Sequence, residues 1–137
     1  RGKKLEPRYA EVFDGKIEAW EAFHKPFSEI VDMIRLTPKY KTLWEYMKLL
    51  NIGYLSLERT MMSLSGGERQ RLYLLSKMAT KLENQFMVFE NLSFGLSARE
   101  IDGMGQLLLQ LVNQGNTLVL IDQNPLFEGF SHYQLSF

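Results

Sequence analysis

The sequence predicts an α/β fold, parallel strands with flanking helices, preceded by a small and mostly helical segment. Three observations carry this. Two short apolar runs, residues 86–89 (FMVF) and 117–121 (TLVLI), read as strands buried on both faces. Between them, residues 97–114 place Ile101, Met104, Leu108, Leu111 and Val112 at helical spacing, with Gly115 positioned just past the helix end. Strand, helix, strand in that order is a βαβ unit, which sets the two strands parallel. Finally, Ser65-Gly66-Gly67-Glu68 opens another helix that extends to roughly Leu82, with Leu72, Leu75 and Met78 or Ala79 facing inward.

The pattern is thinner upstream. Residues 9–13 (YAEVF) alternate as a short strand does, and residues 14–16 (DGK) are a turn signal. Residues 26–36 put Phe27, Ile30, Val31 and Ile34 at helical spacing, with Pro26 suited to a first turn. In residues 37–50, Thr37 is the expected N-cap, Pro38 occupies N1, and Leu43, Met47 and Leu50 line one face. Gly53 is expected to end that segment. Residues 132–137 (HYQLSF) offer a third, weaker strand. The expected organisation is a helical segment over 1–50 and the α/β part over 51–137.

Composition narrows the function classes. Sixteen basic residues balance sixteen acidic ones, so whole-chain charge points to neither nucleic acid nor membrane, and any DNA contact is local. There is no cysteine, which excludes disulfides and thiolate zinc sites within these residues and suits the reducing cytoplasm. No apolar run approaches the roughly 20 residues of a membrane helix. Arg1-Gly2-Lys3-Lys4 has no apolar stretch behind it, so a secretory signal is not expected, and the chain reads as an excised piece of a longer protein.

The chemistry concentrates in residues 63–71 (SLSGGERQR). Ser65 and Glu68 satisfy a capping box: the serine hydroxyl accepts from the Glu68 N–H, and the carboxylate reaches back to the Ser65 N–H. The glycines leave the first-turn N–H groups open to a bulky anion, and the helix dipole adds positive potential there. A plain capped helix explains a bare S-G-G-E, but the longer string with Gln70 and Arg71 matches the signature motif of ABC-type ATPases.

Residues 51–74 (NIGYLSLERTMMSLSGGERQRLYL) resemble the segment leading into the signature of the UvrA family, the damage-recognition ATPases of the UvrABC excinuclease. Residues 111–124 (LVNQGNTLVLIDQN) are similar to the end of that family's nucleotide-binding domain, closest to its second one. Residues 89–100 (FENLSFGLSARE) fall where the Walker B strand and D-loop belong, and residues 1–16 resemble the stretch after the family's zinc-binding cysteines. The resemblance is dense over 51–124 and thin before Thr37. It implies the C-terminal half of an ABC nucleotide-binding domain, since no G-x-x-x-x-G-K-[ST] loop is present. It further implies that Ser65, Gly66, Gly67, Glu68 and Gln70 close on ATP, with its Mg²⁺, held by a partner domain. The implied partners are the remainder of a parent chain, a second copy of that parent, damaged double-stranded DNA and a UvrB-like helicase subunit. The implied setting is the SOS response.

The same resemblance implies a damaged hydrolytic centre. The metal-orienting acid of the family falls on Glu90, which would hold Mg²⁺ through water, and the catalytic base falls on Asn91, whose amide is not basic at neutral pH. A one-residue slip returns Glu90 to the base position but leaves Phe89 in place of the metal-orienting acid. The switch histidine falls on Gln123, which can hydrogen-bond but not carry charge. Asp122 stands where the family has a longer acid, and Ser97 replaces a histidine while forming a second capping box with Glu100. Losing the base and the switch each lowers rate by on the order of 10²–10⁴, so no catalytic set is intact.

Arg69, Arg71, Lys77 and Lys81 read as a solvated basic strip, with something more expected of Arg71 from its place after the signature Gln. Trp20, Phe23 and Phe27 are expected to pack the N-terminal helices, His24 and His132 to be ordinary, and the seven methionines to fill gaps. Two other readings stay open: an ATPase whose base comes from elsewhere, and a partner-docking or structural piece of an ABC-like protein outside DNA repair.

Overall fold

The computed structural model describes residues 17–34 and 36–135. Two short helices, α1 (Ala19–His24) and α2 (Phe27–Ile30), lead into a 3-10 turn at Val31–Met33 and then α3 (Pro38–Leu49). After a 3-10 turn at Met61–Ser63 come α4 (Gly66–Met78), β1 (Phe86–Glu90), α5 (Ala98–Asn113) and β2 (Thr117–Ile121). A final 3-10 segment, Pro125–Phe130, returns against α5.

The βαβ unit forms as expected. β1 and β2 pair in parallel, with Phe86 opposite Thr117 and Glu90 opposite Ile121. Ser97 caps α5 and shares a capping box with Glu100. Gln114 follows as C-cap, and Gly115 takes φ +88° to turn the chain toward β2. Buried Asn116 fastens that turn: its side-chain N–H groups donate to Leu82 O and Leu111 O, both at 2.9 Å, and its Oδ1 accepts from Gln85 N–H at 3.0 Å.

One core serves α3, α4, the strands and α5. Leu74 from α4, Met87 and Phe89 from β1, and Ile101, Met104, Leu107, Leu108 and Leu111 from α5 are buried in it, together with Leu50, Ile52 and Leu55. Leu118 and Leu120 of β2 pack against it half-buried. A smaller cluster around Ala22 and Ile30 holds α1 and α2. That segment is tied to the main body by backbone bonds from Phe27 to Leu55, Ser28 to Gly53 and Glu58 to Phe23.

Several sequence expectations are corrected. The strands are covered on one face only: Met87 and Phe89 point into the core, while Phe86 is 69% exposed and Ile121 53% exposed. Among the described residues, α4 and α5 pack on the same side of the sheet and nothing packs on the other. Residues 26–36 make α2 and a 3-10 turn rather than one helix: Pro26 is extended before α2 and pairs with Ser56, and Ile34 is extended again after the turn. α3 stops at Leu49 because Asn51 adopts φ +49°, not because of Gly53, which lies against the Trp44 ring. α4 ends at Met78 rather than near Leu82, and its most buried apolar residue is Leu74. Trp20 is largely exposed, and Met62, at 94% exposure, fills no gap. Residues 132–135 form no strand, and the strand and turn expected over 9–16 lie outside the described residues.

Truncating Leu111, which is fully buried, should lower the unfolding free energy by about 2–5 kcal/mol in Leu111→Ala, measured by urea titration. In Gly105→Ala the added Cβ would lie 2.5 Å from the Phe130 ring. That variant should therefore lose stability although alanine normally favours a helix over glycine by about 1 kcal/mol.

Candidate functional site

The sequence around Ser65 folds into the capping box it encodes. Ser65 is extended at ψ 164°, its Oγ accepts from the Glu68 N–H at 3.2 Å, and its own N–H donates to Glu68 Oε2 at 2.7 Å. Arg69 N–H returns to Ser65 O at 3.0 Å. This leaves the N–H groups of Gly66 and Gly67 without a partner among the described residues. Ser65 and Gly66 are exposed, and a Cβ on Gly66 would meet nothing within 4 Å. Gly67 is buried: a Cβ there would stand 2.9 Å from Arg71 Nη1 and 3.3 Å from Phe94 O. The two glycines thus differ. Gly66 keeps the mouth of the helix open, whereas Gly67 lets a loop and a guanidinium approach from beneath. Two N–H groups without partners among the described residues thus lie at the positive end of a 13-residue helix, where helix termini in general favour anions.

Glu68 is 9% exposed, and three groups hold it. Besides the Ser65 N–H, the Tyr54 hydroxyl donates to Oε1 at 2.5 Å, and Arg59 Nη2 lies 4.0 Å from Oε2. The Tyr54 bond, followed by the Ser65 N–H, holds the Glu68 carboxyl below its ordinary value. Burial, followed by the bond to Glu68, pushes the Tyr54 hydroxyl up. Arg59 also braces the turn into the cradle, donating from Nε to Ser63 Oγ at 3.0 Å and from Nη2 to Ser63 O at 2.6 Å.

Arg71 does not belong to a solvated strip. It is 4% exposed and donates from Nη1 to Phe94 O at 2.9 Å and to Leu92 O at 3.3 Å. Its Nε has no acceptor, and no carboxylate among the described residues pairs with it. Gln70 stands one turn into α4, half-buried, with Oε1 unpartnered among the described residues.

The loop that Arg71 grips follows β1. Glu90 ends the strand, exposed, and Asn91 turns the chain at φ +51° while its N–H donates to Ile121 O at 2.9 Å. Asp122, just past β2, accepts from Ser93 N–H at 2.9 Å, Ser93 Oγ at 2.5 Å and Asn124 N–H at 3.0 Å. Gln123 beside it is exposed. Glu90, Asn91 and Gln123 therefore stand together at the carboxyl ends of the two parallel strands, where open α/β sheets present ligand sites. Among the described residues, no three His, Asp or Glu side chains are grouped as a metal site, and Glu90 is one exposed carboxylate. No helix of the described residues is long and apolar enough to cross a membrane.

Parallel strands, the helix between them and a capped glycine-rich helix define the architecture of part of an ABC-type ATPase domain. The crystal structure of UvrA2 from Deinococcus radiodurans matches it with a TM-score of 0.66 at 23% identity, over 85% of this chain and 15% of that one. In sequence the chain is partially homologous to UvrA over most of its length. It is 28% identical over 111 residues to UvrABC system protein A of Treponema pallidum, covering 81% of this chain and 12% of that protein. Identity is 32% over 109 residues to the Lactococcus lactis protein of the same name, covering 73% and 12%. In the Aquifex aeolicus protein it reaches 38% over 79 residues, covering 56% and 8%. No family model matches the chain. The chain spans 12% of the length of the Treponema and Lactococcus relatives.

Sequence reasoning placed the capping box at Ser65 and Glu68 and the residues at the strand ends but missed Tyr54, Arg59 and the Ser93–Asp122 bracket. The first two act on Glu68 from 14 and 9 positions upstream, at no periodic spacing. Only the acid of Asp-x-Asn after β2 carried a local turn signal.

A carboxyl depressed in the folded state stabilises the fold above its unfolded value, and that contribution is lost as pH falls through the folded value. Stability should therefore drop below the ordinary 4.5 of Glu68, and Glu68→Gln should flatten that acid limb. Urea titrations at about pH 7 and about pH 3.5 measure it. Part of the slope should remain, because the Ser97 hydroxyl and N–H depress Glu100 in the same direction.

Proposed function

We propose that this chain is the signature-bearing half of a nucleotide-binding domain in a UvrA-like DNA-repair ATPase. In this reading residues 1–50 belong to an insertion segment, helical over α1 to α3 where it is described, and residues 51–137 carry the signature and the Walker B side. Ser65, Gly66, Gly67, Glu68 and Gln70 form a cradle for the terminal phosphate of ATP held by a partner domain. The single observation that carries this reading is the pair of free N–H groups on Gly66 and Gly67, at an exposed helix start locked by a capping box.

ATP would be held mainly by a lysine-bearing loop elsewhere in the parent, with Mg²⁺ supplied alongside; the cradle contributes N–H donors and dipole only. The strand-end positions support an impaired centre of this domain's own. Asn91 offers no base, Gln123 carries no charge, and Glu90 remains as the one acid to orient Mg²⁺ through water. Partnership with a second parent copy, damaged duplex DNA and a UvrB-like helicase follows from the partial homology and belongs to the same proposal, as does a cytoplasmic setting.

Gly66→Asp in the full-length protein tests the cradle. The new side chain has open space and suits a helix start, so folding should be preserved. Its charge should repel phosphate and lower ATP turnover at the partner site by at least about tenfold. Unchanged turnover would sink the proposal. Asn91→Glu combined with Gln123→His should raise ATPase activity by about tenfold or more if this centre is impaired. No gain would instead favour an enzyme whose base comes from elsewhere. Failure of the parent to bind damaged duplex DNA would favour a structural piece outside repair.

A further inference from the structure

The chain contains two capping boxes, and they are not alike. At Ser97 the Glu100 carboxylate accepts hydrogen bonds from Ser97 alone among the described residues, at the backbone N–H and the hydroxyl, with the Arg71 charge acting on it only at longer range. That suffices to start α5, a 16-residue helix. At Ser65 the equivalent carboxylate is buried and carries an additional tie from the Tyr54 hydroxyl. Helix capping does not require that tie, so it answers another demand.

The surroundings identify the demand as anion binding. Buried Arg71 lies against Gly67 with no salt-bridged carboxylate and an unsatisfied Nε among the described residues; its Nη1 is held by the Leu92 and Phe94 carbonyls, and its charge is felt at longer range by Glu100. Arg59 stands on the other side of Glu68. Glu68 is the carboxylate that shares the first turn of α4 with the free N–H groups, and its partners are Tyr54, Ser65 and Arg59. If it were free to rotate, it could swing toward either guanidinium or toward the helix mouth and compete with an incoming anion. The Tyr54 hydroxyl fixes Oε1, so that Oε2 stays on the Ser65 N–H.

We infer that Tyr54 is a positioning residue of the cradle: by restraining Glu68 it keeps the Gly66 and Gly67 N–H groups and the Arg71 charge available to a terminal phosphate. This rests on the cradle reading proposed above. Tyr54 sits in the loop that accepts backbone bonds from Phe27 and Ser28 and donates one from Glu58 to Phe23 O, so the same loop links the N-terminal helices to the cradle.

The test uses Tyr54→Phe in the full-length protein, with ATP, AMP-PNP and ADP as probes and Gly66→Asp as reference. Tyr54→Phe keeps the ring and removes one hydrogen bond. It should weaken AMP-PNP binding and raise the KM for ATP by roughly threefold to tenfold, with kcat held within about twofold. ADP binding should be unchanged, because only the terminal phosphate reaches the cradle. The acid limb of the ATP profile should also move to higher pH, since Glu68 loses its principal depressing partner while Arg59 stays and Arg71 faces Tyr54. Equal losses for ADP and AMP-PNP, with reduced thermal stability, would overturn the inference in favour of a purely structural tyrosine. Wild-type behaviour of Tyr54→Phe alongside a damaged Gly66→Asp would overturn it while leaving the cradle standing. A silent Gly66→Asp would remove the cradle and this inference together.

Discussion

The Glu68 carboxylate is the constraint on which the proposed site depends. Its two oxygens serve different masters: one completes the capping box with Ser65, and the other takes the Tyr54 hydroxyl. A charge this buried is tolerated because two hydrogen-bond donors and the Arg59 cation meet it. The result is a helix start whose serine and glutamate are already satisfied. Among the described residues, the backbone donors left over in the first turn of α4 are those of Gly66 and Gly67. Polar satisfaction elsewhere in the turn is what makes those two N–H groups available and directional.

The sequence revealed the elements whose causes are local. Both capping boxes, the N1 proline of α3, the C′ glycine of α5 and the βαβ order follow from short-range chemistry, and each formed where expected. The misses have long-range causes. Arg71 looked like one cation among several on a helix face; only folding brings Leu92 and Phe94 carbonyls over it. Tyr54 had no periodic relation to Glu68, and nothing in NIGY announced a hydroxyl aimed at a carboxylate. Asn51 displaced Gly53 as the helix stop because asparagine also tolerates the left-handed conformation.

The strands show residue chemistry suited to more cover than the described residues supply. Phe86, Val88, Val119 and Ile121 share the uncovered side of the sheet, and all four are apolar. Parallel sheets normally have both faces covered, and a two-stranded sheet has little stability of its own. The inference of doubly buried strands was therefore sound about residue type. It failed on burial because the described residues supply helices to one side only. The match to 15% of the UvrA2 chain agrees with a fragment of a larger layered domain.

In the proposed reading, a cradle can stay intact beside altered hydrolytic positions because of how the two are joined. Arg71 holds the loop after β1 through backbone carbonyls of Leu92 and Phe94, and Asn91 is fixed by its own N–H on Ile121. Asp122 takes the Ser93 N–H as well as its hydroxyl. None of these ties uses the side chain of Glu90, Asn91 or Gln123. Those side chains can therefore change without loosening the support beneath Gly67, whose close contacts are Arg71 and the Phe94 backbone. In the proposed reading, phosphate reception and water activation are separable because backbone geometry secures the first and exposed side chains alone would perform the second.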